Sequence, residues 1–216
     1  MSHSTLSIAQ PGLPPPPLRA NHPLTLFGAA GPVLFVLLAT LAGALQPGYD
    51  PRVNSVSEAA LGPAGWLQTL NFVVFGASIL ALAATYARWA RPASRVTVIA
   101  LVLTGLAMAA SGVVGSDRPG AEETPGGQVH NLLALVIFGS MVVSQIAAAR
   151  ALRRSGEAVY CVLIGALSLV LLVVYIGFSS EPGDALYAVG GIIERGLIVA
   201  AFGWMTVTGW RLATRR

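Results

Sequence analysis

Six apolar segments dominate the chain, at 24–45, 66–87, 96–115, 129–149, 158–178 and 186–210. A bilayer core takes about 20 apolar residues per helix, so each segment is long enough to cross it. The pattern predicts an all-α fold: a six-helix transmembrane bundle of three helical hairpins. The domain spans 23–211, after a tail at 1–22 that includes Pro14-Pro15-Pro16-Pro17 and before a short basic tail at 212–216. The first tail is too polar and Pro-rich to bury a core and is expected to be disordered. Ala42-Gly43-Ala44 resembles a signal-peptide cleavage site. The apolar run before it is long for such a peptide and its N-terminal region carries one Arg, so a retained helix is the expectation.

Between the segments the charges alternate. Arg19, Arg88, Arg91, Arg95, Arg150, Arg153, Arg154, Arg211, Arg215 and Arg216 gather at one end of the hairpins, and only Arg52 and Arg118 lie in the opposite loops. The positive-inside rule then puts both termini in the cytoplasm. Asp50, Glu58, Asp117, Glu122, Glu123, Glu181 and Asp184 fall on the other face, with Glu157 alone on the Arg side. Each outward helix ends in a Gly-containing acidic loop, and the Asp residues at 50, 117 and 184 are equally spaced. Equal hairpins give equal spacing without a repeat, and no matching residues inside the helices argue for one. Small residues four apart, such as Gly105 and Ala109, let helix backbones approach closely.

Composition adds little to this. The chain is 55% hydrophobic and 10% charged, too little charge to cover a soluble surface. All thirteen basic residues are Arg, and the gathering of most of them at helix ends makes the net charge of +4 a topology signal, so no nucleic-acid partner is expected. Membrane lipids are the expected surroundings, in the plasma (inner) membrane, with a membrane-protein partner left open. Cys161 is the single cysteine, which excludes an intrachain disulfide.

Candidate chemistry rests on polar groups that a bilayer disfavours. Glu194 and Arg195 lie about two turns into the sixth segment. Adjacent residues point about 100° apart, so Arg195 is expected to reach a carboxylate elsewhere, Asp117 or Glu58. His130 is the histidine of the membrane zone, and Thr124-Pro125 reads as the N-cap and first residue of its helix. Ser55 and Glu58 have capping-box spacing and Gly62-Pro63 ends the short helix they would start, an interfacial helix with Trp66 as a headgroup-level anchor. Asn71 adds an amide and Tyr175 a phenol at similar depth. Glu58, Asn71, Asp117, His130, Glu194 and Arg195 thus share one level, which suggests a pocket open to the outer leaflet. The inner half holds little beyond Gln145 and scattered hydroxyls.

Gln46-Pro47-Gly48-Tyr49-Asp50-Pro51 and the run from Ser57-Glu58-Ala59-Ala60-Leu61-Gly62-Pro63 to Leu67 resemble the domain-of-unknown-function 998 family of prokaryotic membrane proteins. Asp117 with Thr124-Pro125-Gly126-Gly127-Gln128-Val129-His130 is similar to that family's second outer motif. The resemblance covers about 24–210 and carries no biochemical activity. It implies a six-helix bundle and makes Ser57, Glu58, Asp117 and His130 the positions to test.

Several functions separate on chemistry. A bis-histidine haem needs two imidazoles at membrane depth, and one is present. One His with Asp and Glu is a poor zinc set, so neither cofactor nor metal is expected. A metal-free hydrolase or transferase acting on a lipid would use Ser57 or Ser55 as nucleophile, His130 as base, and Asp117 or Glu58 as orienting carboxylate. A small-solute transporter would need a polar path reaching the midplane. The favoured expectation is non-catalytic: the outer pocket binds a lipid headgroup or small ligand, with Arg195 suited to an anionic headgroup.

Overall fold

The computed structural model describes residues 23–89, 95–151 and 156–214. The Pro-rich tail and Arg19, Arg91, Arg153, Arg154, Arg215 and Arg216 lie outside them. Six α-helices follow in order: α1 (Pro23–Ala44), α2 (Gly65–Trp89), α3 (Arg95–Val113), α4 (Pro125–Ala151), α5 (Gly156–Phe178) and α6 (Gly190–Thr214). Short 3₁₀ helices at Ser57–Leu61 and Tyr187–Val189 precede α2 and α6. All six long helices are apolar enough to cross a membrane. α6 continues through Thr214, past the boundary expected at 211.

The helices form a closed ring in chain order. Each packs on its predecessor and its successor, and α6 packs back on α1. The loops after α1, α3 and α5 lie at one end, which carries most of the carboxylates and is called here the acidic end. Arg88, Arg95, Arg150 and Arg211 mark the other, where Arg211 pairs with Glu157 at 3.5 Å.

Close packing of α2 on α3 follows from small residues. A Cβ added at Gly105 would lie 3.0 Å from the Gly76 carbonyl oxygen and 2.8 Å from Leu80 Cγ. Only a bare backbone fits there. The middle of the ring is filled by aromatic rings. Phe35 stacks on Phe75 at 4.5 Å between centroids, and Phe75 meets Phe202 edge-on at 4.9 Å. Below them, toward the Arg-rich end, Trp204 is fully buried, stacks on Tyr86 and donates its indole N–H to Cys161 Sγ at 3.2 Å. Gln145 donates to the Ala201 carbonyl at 3.0 Å. These side chains plug the Arg-rich half of the ring.

At the acidic end the first loop folds into the bundle. Ser55 Oγ accepts the Glu58 N–H at 3.3 Å and Glu58 Oε1 accepts the Ser55 N–H at 2.6 Å, the reciprocal pair of a capping box. The helix it starts is a 3₁₀ turn that ends at extended Gly62. It packs against the bundle: Val56 is 4% and Ala59 1% exposed. Trp66 beside it is 68% exposed at the start of α2. The three equally spaced aspartates do unlike work. Asp50 bonds Arg52, Asp117 bonds Thr124, and Asp184 accepts the Glu181 N–H. Their spacing reflects hairpin length and marks no repeated structural role.

Candidate functional site

A cavity of about 760 Å³ lies among the helices at the acidic end. Ligand pockets commonly measure about 300–1,000 Å³. Its floor is apolar, built by Phe35, Phe72, Met108, Phe138, Leu172 and Phe202. Its upper wall is polar: Ser55, Ser57, Glu58, Asp117, His130, Tyr175 and Glu194 all face it. Arg118 and Glu123 from the loop before α4, and Ser180 and Glu181 from the loop after α5, form the rim. Leu132 and Leu135 of α4 and Ile176 of α5 also line it while remaining 60%, 50% and 51% exposed.

His130 is placed by the start of α4. Thr124 caps that helix through Oγ1, which accepts the Gly127 N–H at 3.1 Å, and Pro125 opens it. Asp117 fixes the cap in turn, accepting from the Thr124 N–H at 2.7 Å and its hydroxyl at 2.8 Å. One turn on, His130 is 5% exposed and bonded on both ring nitrogens. Nδ1 lies 2.8 Å from the Val114 carbonyl oxygen. A carbonyl only accepts, so Nδ1 carries a proton. In the neutral ring Nε2 then presents its lone pair to Ser57 Oγ, 3.0 Å away, and the Ser57 hydroxyl donates to it. The orienting group expected from sequence was Asp117 or Glu58. It is the Val114 carbonyl, because the end of α3 passes beside the imidazole while both carboxylates bond other groups.

Ser57 is held from both sides. Before it, the Val56 N–H donates to Glu194 Oε2 at 2.7 Å, tying the loop to α6. After it, Glu58 closes the capping box and accepts from Asn54 Nδ2 at 2.7 Å. Two hydroxyls on the cavity wall, Ser111 and Ser116, are buried with no hydrogen-bond partner. Unpaired buried hydroxyls are uncommon in folded proteins.

Arg195 and Asn71 do not join this set. Arg195 Nη1 donates to the Asn54 carbonyl at 3.0 Å and to the Gly191 carbonyl at 2.8 Å, and Nη2 donates to the Tyr49 hydroxyl at 2.5 Å. The expected carboxylate partner is absent among the described residues; α6 turns the guanidinium toward the Asn54 carbonyl and the Tyr49 hydroxyl of the first loop. Tyr49 passes the contact on, donating to the Ser55 carbonyl at 2.8 Å. Burial pushes the Tyr49 phenol up, although Arg195 beside it pulls the other way, so it stays a donor at neutral pH. Gly191 permits the docking: a Cβ there would sit 2.6 Å from the Pro51 and Asn54 carbonyl oxygens. Asn71 bonds the Phe35 carbonyl at 2.9 Å and Gln68 at 3.2 Å, joining α2 to α1.

Sequence reasoning did not find Tyr49, Asn54, Val114, Ser111 or Ser116. Val114 acts through its carbonyl, which leaves no mark in a sequence. Tyr49 stood out only as part of the first loop's family-like run, and Asn54 only as the residue before the capping box. Among the described residues no group of His, Cys, Asp and Glu is arranged to hold a metal.

The family model described as "Protein of unknown function (DUF998)" matches residues 29–211, and the chain belongs to that family. No curated protein and no solved structure matches the chain.

Proposed function

We propose that this member of the DUF998 family is a plasma-membrane protein whose acidic end faces outward and whose cavity binds an amphiphile from the outer leaflet. The observation that carries this is the division of the cavity wall, with aromatic and aliphatic floor below and carboxylates, hydroxyls and imidazole above. That gradient matches a molecule with a polar head and an apolar chain. The exposed flanks of Leu132, Leu135 and Ile176 support a side entrance between α4 and α5 at lipid level. The two helices approach each other deeper down, where a Cβ at Gly165 would lie 3.4 Å from Gln145 Cβ.

The lining also bears on the headgroup. Glu58, Asp117, Glu123, Glu181 and Glu194 face the space against one cation, Arg118. An amine-bearing or polyhydroxy head fits such a wall better than the anionic head that Arg195 suggested from sequence. Transport is the weaker reading, since Trp204, Cys161 and Gln145 fill the far half of the ring.

Native mass spectrometry of gently extracted protein tests the reading. The parent is expected to retain an amphiphile, and Ala134→Trp, which puts a large side chain into the cavity, to lose it while remaining folded. Equal retention by a well-folded Ala134→Trp and by Leu135→Trp would rule the cavity out as the binding place.

A further inference from the structure

We propose that Ser57 and His130 are a catalytic pair that cleaves the ester of a lipid held in this cavity, an inference that rests on the cavity binding an amphiphile. Three observations carry it.

The first is the pair itself. Ser57 Oγ and His130 Nε2 are 3.0 Å apart, and the Val114 carbonyl holds the ring in the tautomer that leaves Nε2 free to take a proton. A nucleophile, a base within hydrogen-bond reach and a third group orienting the base are the parts nucleophilic catalysis needs. Here the third part is a backbone carbonyl, not a carboxylate.

The second is rigidity. Ser57 follows Val56, whose N–H is anchored on Glu194, and precedes Glu58, which closes the capping box. The nucleophile sits between two buried anchors, the support a reactive geometry requires. A serine needed only for capping would not need this, since Ser55 already caps the turn.

The third is the space the pair faces. Both residues line the cavity, whose aromatic and aliphatic floor lies below them. That floor suits the apolar chain of a bound ester.

The chemistry balances with water as the only co-reactant. Ser57 Oγ attacks the ester carbonyl carbon while its proton passes to His130 Nε2. The tetrahedral adduct collapses, the bond from the carbonyl carbon to the leaving alcohol oxygen breaks, and His130 returns the proton to that oxygen. Water from the polar rim then attacks the acyl-Ser57 carbonyl, its proton passing to His130. The bond to Ser57 Oγ breaks, Oγ takes the proton back, and a fatty acid leaves. One ester and one water give one acid and one alcohol.

The test uses the full chain in nanodiscs of palmitoyl-oleoyl phosphatidylethanolamine, treated with an alkyl fluorophosphonate. Intact mass is expected to show one adduct, mapped to Ser57 and absent in Ser57→Ala. His130→Gln is expected to slow labelling about 100-fold or more. Fatty-acid release from the nanodisc lipid is expected to fall in step with labelling. If Ser57→Ala does not fold, Ser57→Cys, which keeps a group of similar size, is expected to lose the fluorophosphonate adduct and gain an alkylation at the thiol. A folded parent that retains amphiphile yet neither labels at Ser57 nor releases fatty acid overturns catalysis and leaves binding intact. A parent that retains nothing but labels and turns over at Ser57 upholds catalysis and overturns stable retention.

Discussion

Thr124 shows how a residue outside the cavity controls one inside it. Its hydroxyl gives the N-terminus of α4 a capping partner, and Asp117 holds that hydroxyl. Thr124→Ala is expected to cost about 1 kcal/mol and to lower ligand retention through a frayed first turn, both readable by thermal melting and native mass spectrometry. Asp117→Asn, which keeps an acceptor, is expected to do less. Arg195 belongs to the same class. Two of its three hydrogen bonds fasten α6 to the first loop, so Arg195→Ala is expected to cost about 2 kcal/mol or more, with Arg195→Lys giving little rescue because the bonds need a fork. A melting temperature equal to the parent's would remove Arg195 from that role. Asp50 supplies a pH signature. Hydrogen bonds from Arg52 pull its carboxyl from 3.8 down to about 2. The native state therefore binds this proton more weakly than the unfolded chain does. Its contribution is present above pH 4 and is lost as pH falls through about 2. Melting curves of the parent and Asp50→Asn are expected to differ by a constant amount above that window and to converge below it.

Individual elements were legible where their signals are local. The Ser55–Glu58 capping box and the Thr124 cap each need only a few adjacent residues and the known geometry of a helix start. Gly105 and Ala109, four apart, marked α3 as a helix that a neighbour approaches closely; that the neighbour is α2 was not legible. Gly105→Leu is expected to destabilise the α2–α3 seam by about 1–3 kcal/mol through overpacking, whereas Gly139→Ala, with open space around it, is expected to be neutral or slightly stabilising. Thermal melts of the two variants side by side check the contrast. The partners of Arg195 were not legible. They depend on how far α6 rotates and where a distant loop falls, and a sequence records neither. The same holds for His130, whose orienting carbonyl comes from the end of α3. The list of polar groups at one depth was readable; which of them turn into a common space and which staple helices together was not, as Asn71 and Glu194 show from opposite sides.

At the scale of the whole molecule, hydropathy alone specified six helices, and their ring order follows from short connections between neighbours. The plug in the Arg-rich half has a direct check. Cys161 is fully buried against Trp204, so folded protein is expected to resist maleimide and to react once unfolded in detergent. Rapid labelling of the native state would mean that this half of the ring opens.

The closing contact of the ring has a consequence for biogenesis. Most helix contacts join neighbours in sequence, so hairpins can assemble as they leave the ribosome. The first loop is different: Glu194 and Arg195, which hold Val56, Asn54 and Tyr49, lie on α6 and are synthesised only after the other five helices. Until α6 enters the bilayer, Ser57 exists without one of its anchors. A nascent chain, or one truncated before α6, thus carries the pair of side chains but not their alignment, and the pocket matures only once α6 has been made.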